Sequence, residues 1–436
     1  MKMNCGFAGS EEEQEMTDTT NNPTRREFLK GTAATAAALG LGLGVFTEAH
    51  GRNIGPDDTI NAAFIGTGSH GCHLLTRGVK VDNVKWLACC DIREDNLNRG
   101  LSIAKGAEGY KDYRKLLERK DIHAVVIATP IALHAPMTID ALRAGKHVLC
   151  EKMMAHTIDD AKRMLRVGRQ TGLKLQIGHQ RRYSPQYQHV YQMIKQGIIG
   201  KITHVRAQWN RNGSWRRPCP DPAMENLINW RLYRKSSQGL MGELGSHQID
   251  VVNWMLGETP SEVIGVGGLD YWKDGRDIFD NVQAIFEYPS GVKVQYQSLT
   301  TNQFDGHTEQ FMGDQGTVIL STGRAHLFRE PRAERLAWED VATKDTVAGR
   351  EGIVLDAAKS PREAAKREEG QAIGEAEQHK DDYQLELEDF FLSIRDGHEP
   401  LCSSRVALDT CIASIMANDA MDKKCRLEIR PEIYRV

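Results

Sequence analysis

The sequence predicts an α/β protein in which a doubly wound parallel sheet is followed by an α+β domain with a mainly antiparallel, open-faced sheet. Three observations predict this fold class. An apolar run at residues 60–65 enters a glycine-rich turn and then a helical pattern. Strand and helix patterns keep alternating up to about residue 178, which is typical of parallel sheets. Beyond residue 200, strand patterns follow one another through short turns, which favours antiparallel pairing.

The turn after the first strand has the spacing G-x-G-x-x-G, with glycines at positions 66, 68 and 71. Gly66 permits the tight turn, Gly68 lets a pyrophosphate approach the backbone, and Gly71 allows the helix to lie close to the sheet. The helix N-terminus then attracts phosphate. The glycines alone would also fit an ordinary turn. Because Asp91 ends a second apolar run 20 residues later, we predict a Rossmann-type dinucleotide-binding unit.

The acid at the end of the second strand bears on the choice of cofactor. The Asp91 carboxylate would accept hydrogen bonds from the ribose hydroxyls and repel a 2′-phosphate, so we expect NAD, although Arg93 leaves NADP open. Ligands of such sheets gather at the carboxyl ends of the strands. The expected cofactor-binding residues are Gly66, Gly68, Ser69, His70, Gly71, Asp91, Arg93, Thr129, Pro130, His134, Glu151 and Lys152.

Composition excludes several classes of function. The chain is 40% hydrophobic and 26% charged, with a net charge of −3, so no basic excess points to nucleic acid. Its nine cysteines show no C-x-x-C spacing. The sequence therefore predicts no metal site and no disulfide framework.

Residues 1–50 read as a leader. The run Thr24-Arg25-Arg26-Glu27-Phe28-Leu29-Lys30 precedes a weakly apolar stretch and is similar to a twin-arginine export signal. An amphipathic start or a retained membrane anchor remains the alternative, because cleavage after Ala49 would not follow a clean A-x-A site. We expect export of the folded protein to the periplasm, with no stable membrane insertion beyond the leader. Since a periplasm offers no pool of NAD, the cofactor is expected to be retained.

The rest of the chain divides into an NAD-binding domain at residues 57–180 and a substrate-binding and oligomerisation domain at residues 181–436. Residues 329–380 are polar and charge-dense without clean periodicity, which indicates an insertion. Helices predicted at residues 383–396 and 403–422 are expected to pack onto the second domain.

Two positions outside the glycine turn carry candidate chemistry. Lys152 follows Glu151 at the tip of a predicted strand, where a buried ammonium could reach a proton-transfer pKa; a solvated surface lysine is the alternative. His247 lies four residues after Glu243 and three before Asp250 on one predicted helix. Either acid could orient the imidazole for acid–base work, although most such histidines belong to a core.

An aromatic and basic loop follows the strand predicted at residues 202–209. It contains Trp209 and Arg216, whose flat faces and forked donors suit a polyhydroxylated ligand. A surface loop that clamps the two domains is an equal alternative.

Together these motifs resemble the glucose–fructose oxidoreductase/inositol dehydrogenase (Gfo/Idh/MocA) family. The resemblance rests on the glycine turn with Asp91, the strand end at 128–130 with His134, the run at 144–152, and the runs at 229–231, 245–250 and 385–390. It implies NAD(P), a sugar or polyol substrate, and homodimers or homotetramers. It places the catalytic residues at Lys152 and His247, with Glu243 beside them. The expected substrate-binding residues are Lys152, Arg181, Tyr183, Trp209, Arg216, Trp230, Glu243 and His247.

The family's E-K-P motif reads Glu151-Lys152-Met153 here, which puts the backbone geometry after the lysine in question. We expect an exported oxidoreductase that transfers hydride between a CH–OH group of a sugar, glycoside or polyol and a bound nicotinamide. Redox-neutral glycoside cleavage through a keto-sugar is the first alternative. A non-catalytic sugar- or nucleotide-binding protein is the second.

Overall fold

The computed structural model describes residues 55, 58–321, 324–347, 349–355 and 380–436. The predicted leader lies outside this part of the chain. The described residues form two sheets with helices packed against both. The predicted α/β fold class is confirmed, whereas the exact domain bounds stay a prediction.

The first sheet has six parallel strands in the order β3-β2-β1-β4-β5-β6. This order reverses direction between β1 and β4, and in doubly wound sheets the ligand crevice lies at that point. The strands are β1 (Ile60–Ile65), β2 (Val84–Cys90), β3 (Glu108–Tyr110), β4 (Ala124–Ile127), β5 (His147–Glu151) and β6 (Leu175–Gly178). The helices between them are α1 (Ser69–Gly78), α2 (Glu94–Ile103), α3 (Tyr113–Leu117), α4 (Ile131–Arg143) and α5 (Ile158–Thr171).

Local sequence explains how these helices begin and end. The Thr157 hydroxyl accepts a hydrogen bond from the Asp160 amide and caps α5. The same helix ends at Gly172, whose left-handed φ of 66° suits a glycine C-cap. Both faces of β4 are fully buried, which is why this strand reads as an unbroken apolar run.

The second sheet has ten strands in the order β14-β15-β13-β12-β11-β7-β10-β9-β8-β16. All pairings are antiparallel except β7 with β10. The strands are β7 (Ile202–Asn210), β8 (Glu262–Gly268), β9 (Asn281–Glu287), β10 (Lys293–Leu299), β11 (His307–Gly313), β12 (Gly316–Ser321), β13 (Arg324–Arg329), β14 (Lys344–Val347), β15 (Arg350–Leu355) and β16 (Leu427–Glu428). The remaining helices are α6 (Pro185–Lys195), α7 (Glu225–Ile228), α8 (Ser246–Leu256), α9 (Asp382–Asp396) and α10 (Ser404–Lys423).

The two faces of this sheet have different surroundings. Val282, Ala284 and Phe286 of β9 are buried in the core, whereas the alternating Ile285 is 50% exposed. Val266 of β8 is 74% exposed. The sheet is therefore open on one side, as predicted.

The insertion predicted at residues 329–380 stays a prediction, and its described part extends the sheet, because β14 and β15 pair with each other and β15 pairs with β13. Residues 356–379 lie outside the described residues. One sequence prediction needs correction here. The predicted helix at 383–396 packs on the first sheet rather than on the second domain: Leu387, Phe390 and Phe391 of α9 share a buried cluster with Phe64 and Trp86.

Within the described residues, no helix combines the length and apolar composition needed to cross a membrane.

Candidate active site

The glycine turn forms one wall of a cavity at the carboxyl ends of β1, β2 and β4. A Cβ atom at Gly71 would lie 1.9 Å from the Gly66 carbonyl oxygen, so helix α1 approaches the strand as closely as a glycine allows. A Cβ atom at Gly68 would have no neighbour closer than 4.0 Å. Gly68 therefore faces open space, which fits a phosphate drawn close to the backbone.

The other walls of this nucleotide cavity also fit a dinucleotide. Asp91 lines it, held by the Arg93 amide, which donates at 2.9 Å, and by the Asn96 side chain. The Thr129 hydroxyl is buried there without a partner among the described residues, as expected of a group that binds a ligand. From the second domain, Leu227, Ile228 and Trp230 line the opposite side. The residues present thus match the requirements of NAD.

Strand β5 delivers a charged pair to the neighbouring cavity, which has a volume of about 700 Å³. Glu151 accepts from His70 Nε2 at 2.8 Å and from the Lys152 amide at 3.0 Å. Burial raises the pKa of Glu151, but the adjacent His70 and Lys152 outweigh burial and hold this pKa below its usual value. Ser69 and His70 line both cavities, so the larger cavity opens directly beside the nucleotide cavity.

Lys152 is fixed by a contact across the two domains. Its Nζ donates to the backbone carbonyl oxygen of Glu243 at 2.8 Å. Burial lowers the pKa of this ammonium, while the nearby carboxylates of Glu243 and Glu151 act in the opposite direction. The Lys152–Met153 peptide bond is cis, so methionine occupies the proline position of the family motif with a cis bond.

Glu243 lies in a π-helical turn, Met241–Gly245, that leads directly into α8. Its carboxylate accepts from Arg231 Nε at 2.9 Å and from the Ser237 hydroxyl at 3.2 Å. Burial raises the pKa of Glu243, but Arg231 and Lys152 more than offset burial, so the pKa is lowered. The side chain therefore stays an anion at the cavity wall.

His247 follows one turn later and lines the same cavity as Lys152. It is 6% exposed, and its ring lies 5.4 Å from Trp209 and 6.2 Å from His179, measured between centroids. Its Nδ1 has no hydrogen-bond partner among the described residues. Burial, reinforced by the charges of Lys152 and Arg181, holds the pKa of His247 well below 6.5, so the imidazole is neutral.

The predicted role of Asp250 is wrong. Its carboxylate does not orient His247 but accepts from Arg182 at 2.8 and 2.9 Å, and from the Thr410 hydroxyl. The Asp250–Arg182 pair is buried and lies behind the site.

Matches to family models cover more than half of the chain. Residues 60–179 match the oxidoreductase family model with an NAD-binding Rossmann fold, and residues 187–319 match the GFO/IDH/MocA C-terminal domain. The chain belongs to the Gfo/Idh/MocA oxidoreductase family. Residues 22–42 also match the twin-arginine translocation signal. This Gfo/Idh/MocA protein is therefore an NAD-binding oxidoreductase that acts on CH–OH groups and carries an export signal.

Relatives of this family member act on several compounds, as their names record. It is 28% identical to inositol 2-dehydrogenase of Rubrobacter xylanophilus over 270 residues, covering 61% of this chain and 72% of that protein. It is 26% identical over 260 residues to levoglucosan dehydrogenase of Pseudarthrobacter phenanthrenivorans, covering 53% of this chain and 65% of that one. A glycosyl hydrolase family 109 protein of Stenotrophomonas maltophilia is 34% identical over 199 residues, 43% of this chain and 42% of that protein.

Solved structures show the same fold. The aldose-aldose oxidoreductase of Caulobacter crescentus, complexed with glycerol, superposes with a TM-score of 0.67 at 19% identity, covering 85% of this chain and 100% of that chain. Levoglucosan dehydrogenase in complex with NADH gives a TM-score of 0.68 at 20% identity, covering 86% of this chain and 100% of that chain.

Most of the predicted site residues of this Gfo/Idh/MocA protein line one of the two cavities. The nucleotide cavity is lined by Gly66, Gly68, Ser69, His70, Gly71, Asp91, Arg93, Thr129, Pro130 and Trp230. The larger one, the substrate cavity, is lined by Glu151, Lys152, Trp209, Glu243 and His247, in addition to Ser69 and His70. Trp230 was expected to bind the substrate but lines the nucleotide cavity. Glu151 and Lys152 were expected to bind the cofactor but line the substrate cavity, where Lys152 was also expected.

Four predicted contact residues line neither cavity. His134 is buried, with its two ring nitrogens near the carbonyl oxygens of Thr129 and Met153. Tyr183 is 6% exposed, and its hydroxyl accepts from the Cys402 amide.

Arg181 and Arg216 are likewise bound elsewhere. Arg181 pairs with buried Glu309 and lies over the face of Trp209, which it supports from behind. Arg216 pairs with Asp274 and Glu225.

Arg211, Trp215 and Arg217 of the aromatic and basic loop also line the substrate cavity, together with three residues that were not expected there: Gln180, Arg231 and Tyr383. Arg231 adjoins Trp230 and could have been inferred from the same motif. Tyr383 reaches the cavity from α9, and no local pattern marks it.

Proposed function

We propose that this protein is an exported, NAD-dependent dehydrogenase of a sugar, glycoside or polyol, with Lys152 and His247 as its acid–base pair. One observation carries the proposal. An ammonium and a neutral imidazole from different domains line a single cavity that opens beside the nucleotide cavity. A ring carbinol in that cavity would lie within reach of both groups and of the cofactor.

The two side chains divide the proton chemistry. NAD bound by the glycine turn accepts the hydride that leaves the carbinol carbon. Neutral His247 takes the hydroxyl proton, so the carbinol becomes a carbonyl and the charges balance. The Lys152 ammonium stabilises the alkoxide character of the oxygen as the proton leaves, and burial, which lowers its pKa, favours exchange of that proton.

Glu243 positions the lysine in this scheme. Its backbone carbonyl holds Lys152 Nζ, while its carboxylate is neutralised by Arg231. The π-turn therefore fixes the ammonium through the main chain, while the carboxylate pairs with Arg231.

Retention of NAD is supported by the way the second domain covers the nucleotide cavity. Leu227, Ile228 and Trp230 lie across it from the glycine turn. Asp91 favours NAD over NADP, because a 2′-phosphate would meet its carboxylate. A retained cofactor suits a periplasmic enzyme, since hydride must return to a second substrate at the same site. The exposed face around Val266 and Ile285 suits a homodimer or homotetramer.

The test starts from protein purified without added nucleotide. Mass spectrometry of the denatured protein should release NAD(H), and a panel of sugars, glycosides and polyols should reduce the bound NAD and yield keto products. Lys152→Ala and His247→Ala should each abolish this reduction while keeping the nucleotide. Unchanged reduction in both variants would overturn the assigned roles, and a protein that binds sugar without reducing NAD would be a sensor.

A redox-neutral glycosidase is a second candidate, favoured by the 34% identity to a glycosyl hydrolase family 109 protein. Oxidation at C3 acidifies the C2 proton, so elimination of the aglycone, addition of water across C1 and C2, and return of the hydride to C3 would release a free sugar and restore NAD. Release of aglycone from an aryl glycoside at constant NAD would favour this reaction, and net ketose formation would favour the dehydrogenase.

A further inference from the structure

Two arginines of the substrate cavity have no acidic partner. Arg211 and Arg217 line it, and neither guanidinium forms an ion pair or side-chain hydrogen bond within the part of the chain that the structure describes. Their neighbours differ. Arg231 pairs with Glu243, and Arg216 and Arg276 both pair with Asp274. Among the arginines that line the cavity, Arg231 therefore has a carboxylate partner, whereas Arg211 and Arg217 have none among the described residues.

The loop that carries these arginines is anchored at both ends. The Arg211 amide donates to the Leu299 carbonyl at 2.8 Å, which continues the sheet beyond β7. At the other end the Arg217 amide donates to Asn229 Oδ1 at 2.7 Å, and Asn229 Nδ2 donates back to the Arg217 carbonyl. The guanidinium groups therefore extend from a fixed backbone.

The middle of the same loop is also held in place. Arg276 donates to the Ser214 carbonyl, and Trp215 adopts a left-handed φ of 62°, which is uncommon for a bulky residue and recurs at binding sites. Trp215 lines the cavity together with Trp209. The loop thus presents an indole ring between the two arginines in sequence.

The charges of the cavity do not balance. Among the described residues that line it, the cations are Lys152, Arg211, Arg217 and Arg231, whereas the two carboxylates, Glu151 and Glu243, already have the partners described above. Burial, together with the charge of Arg231, lowers the pKa of both Arg211 and Arg217. Arg211 and Arg217 are exposed to the cavity, and this excess positive charge favours an oxyanion, which guanidinium groups bind through charge-assisted hydrogen bonds.

We propose that the substrate is an acidic sugar, whose carboxylate or sulfate group binds Arg211 and Arg217 while its ring lies against Trp209 and Trp215. This proposal rests on the proposed function and names its substrate class. A planar carboxylate matches the fork of a guanidinium, and a sulfate ester offers the same acceptors. Since the charged group is held at the arginines, the reacting carbinol would be one that extends toward Lys152 and His247.

A phosphate of the cofactor is the competing ligand for one of the arginines. Arg217 lines both cavities, whereas Arg211 lines only the substrate cavity. The decisive variant is therefore Arg211→Gln, with Arg217→Gln as the second. Arg143→Gln is the matched control, because Arg143 is exposed at the end of α4 and lines neither cavity.

The experiment follows reduction of bound NAD by D-glucuronate, D-glucose 6-sulfate and D-glucose at constant ionic strength. We expect kcat/KM for at least one anionic sugar to exceed that for glucose about 100-fold. Arg211→Gln should lower the anionic value about 10- to 100-fold and leave the glucose value within about threefold. Comparison of the two anions shows whether carboxylate or sulfate is preferred. Equal use of neutral and anionic sugars, or no effect of Arg211→Gln, would overturn the proposal.

Calorimetric binding of the same three sugars separates this inference from the oxidoreductase proposal. If no sugar reduces NAD, the proposed function fails. A binding preference for the anions that Arg211→Gln removes would still support the acidic ligand, and equal binding would overturn it. Loss of NAD retention in Arg217→Gln, with sugar selectivity intact, would overturn the assignment of Arg217 alone.

Discussion

The nucleotide cavity and the substrate cavity are built in different ways. The first depends on backbone geometry around Gly66–Gly71 and on one acid, Asp91, all within two consecutive strands and their helix. The second collects side chains from distant segments, including Lys152, Trp209 and His247.

This difference separates the residues that members of the family can share from those that can vary between members. A turn that binds phosphate through its main chain tolerates few changes, because a Cβ atom at Gly66 or Gly71 would collide with neighbouring backbone. Side chains on separate elements can change one at a time without disturbing the fold. Cofactor binding therefore belongs to the family as a whole, and substrate choice belongs to loops such as the one that carries Arg211 and Arg217.

The largest expected effect is at Lys152. Lys152→Ala removes the ammonium from the substrate cavity, and we expect kcat to fall about 10³-fold. NAD should stay bound, since Lys152 does not line the nucleotide cavity. Single-turnover reduction, with mass spectrometry of the retained nucleotide, measures both. Loss of nucleotide together with activity would show that the two cavities are not independent.

The buried ion pair behind the substrate cavity should matter for stability rather than chemistry. Asp250→Asn leaves Arg182 without its partner charge, so we expect a loss of about 3–5 kcal/mol in the free energy of unfolding. Chemical denaturation measures it. At temperatures where the variant is folded, the pH profile of kcat/KM should match that of the original protein. A stable variant with a displaced acid limb would instead place Asp250 in the catalytic machinery.

The glycine turn offers a matched pair of substitutions. Gly71→Ala introduces a Cβ atom 1.9 Å from the Gly66 carbonyl, so we expect a loss of about 1–3 kcal/mol of stability even without nucleotide. Gly68→Ala meets no neighbour within 4.0 Å, so the fold should survive while NAD binding weakens. Thermal unfolding and NAD titration of both variants test this. Equal stability of the two would contradict the close approach described for Gly71.

Buried histidines predict how stability depends on pH. Burial lowers the pKa of His147, His179 and His307 to about 4. Between pH 6.5 and 4 the unfolded chain binds protons that the folded chain does not, so stability falls as the pH falls. Each histidine contributes up to about 1.4 kcal/mol per pH unit. Burial raises the pKa of Asp409 to about 6. Between pH 6 and 4 this carboxyl binds its proton more readily in the folded chain, so it offsets the contribution of one histidine to the fall in stability.

Denaturation midpoints between pH 7 and pH 4.5 measure how steeply stability falls with pH. His147→Gln should reduce this slope by the contribution of one histidine. A flat profile would show that these rings are protonated in the folded protein. His247 also has a low pKa, so the acid limb of kcat/KM should lie below pH 6.5.

The smallest effect is expected at the cofactor's ribose. Asp91→Asn removes a charge that opposes a 2′-phosphate, so the preference for NAD over NADP should fall about tenfold, or about 1.4 kcal/mol. Ratios of the two dissociation constants report it. Asp82→Asn, at an exposed loop position outside the nucleotide cavity, is the control. An unchanged ratio in Asp91→Asn would assign the selectivity elsewhere.

The same contrast explains what could be predicted from sequence. The glycine spacing and Asp91 report local geometry, so the wall that they form could be predicted from the sequence. The opposite wall, with Leu227 and Ile228, comes from a distant segment and could not. The approach of Lys152 and His247 was expected only through the family resemblance. The pairing of Asp250 with Arg182 rather than with His247 could not be predicted. Helical spacing identifies neighbours on the same helix, but not residues of other segments that pack against it.

Strands β14 and β15 were missed for another reason. They lie toward the edge of the sheet, and three of the four residues of β14 are exposed, so their sequence lacks an apolar alternation. Tyr383 was missed because its helix crosses to the first sheet, a contact between residues far apart in the chain.

That crossing helix has a consequence for synthesis and export. A ribosome releases the glycine turn and all six strands of the first sheet long before it releases Leu387, Phe390 and Phe391, which cover one face of that sheet. A nascent chain thus leaves apolar surface around Phe64 and Trp86 exposed until translation has passed α9. The core of the first sheet therefore cannot be completed until the polypeptide is nearly finished, which suits a translocation route that accepts folded cargo.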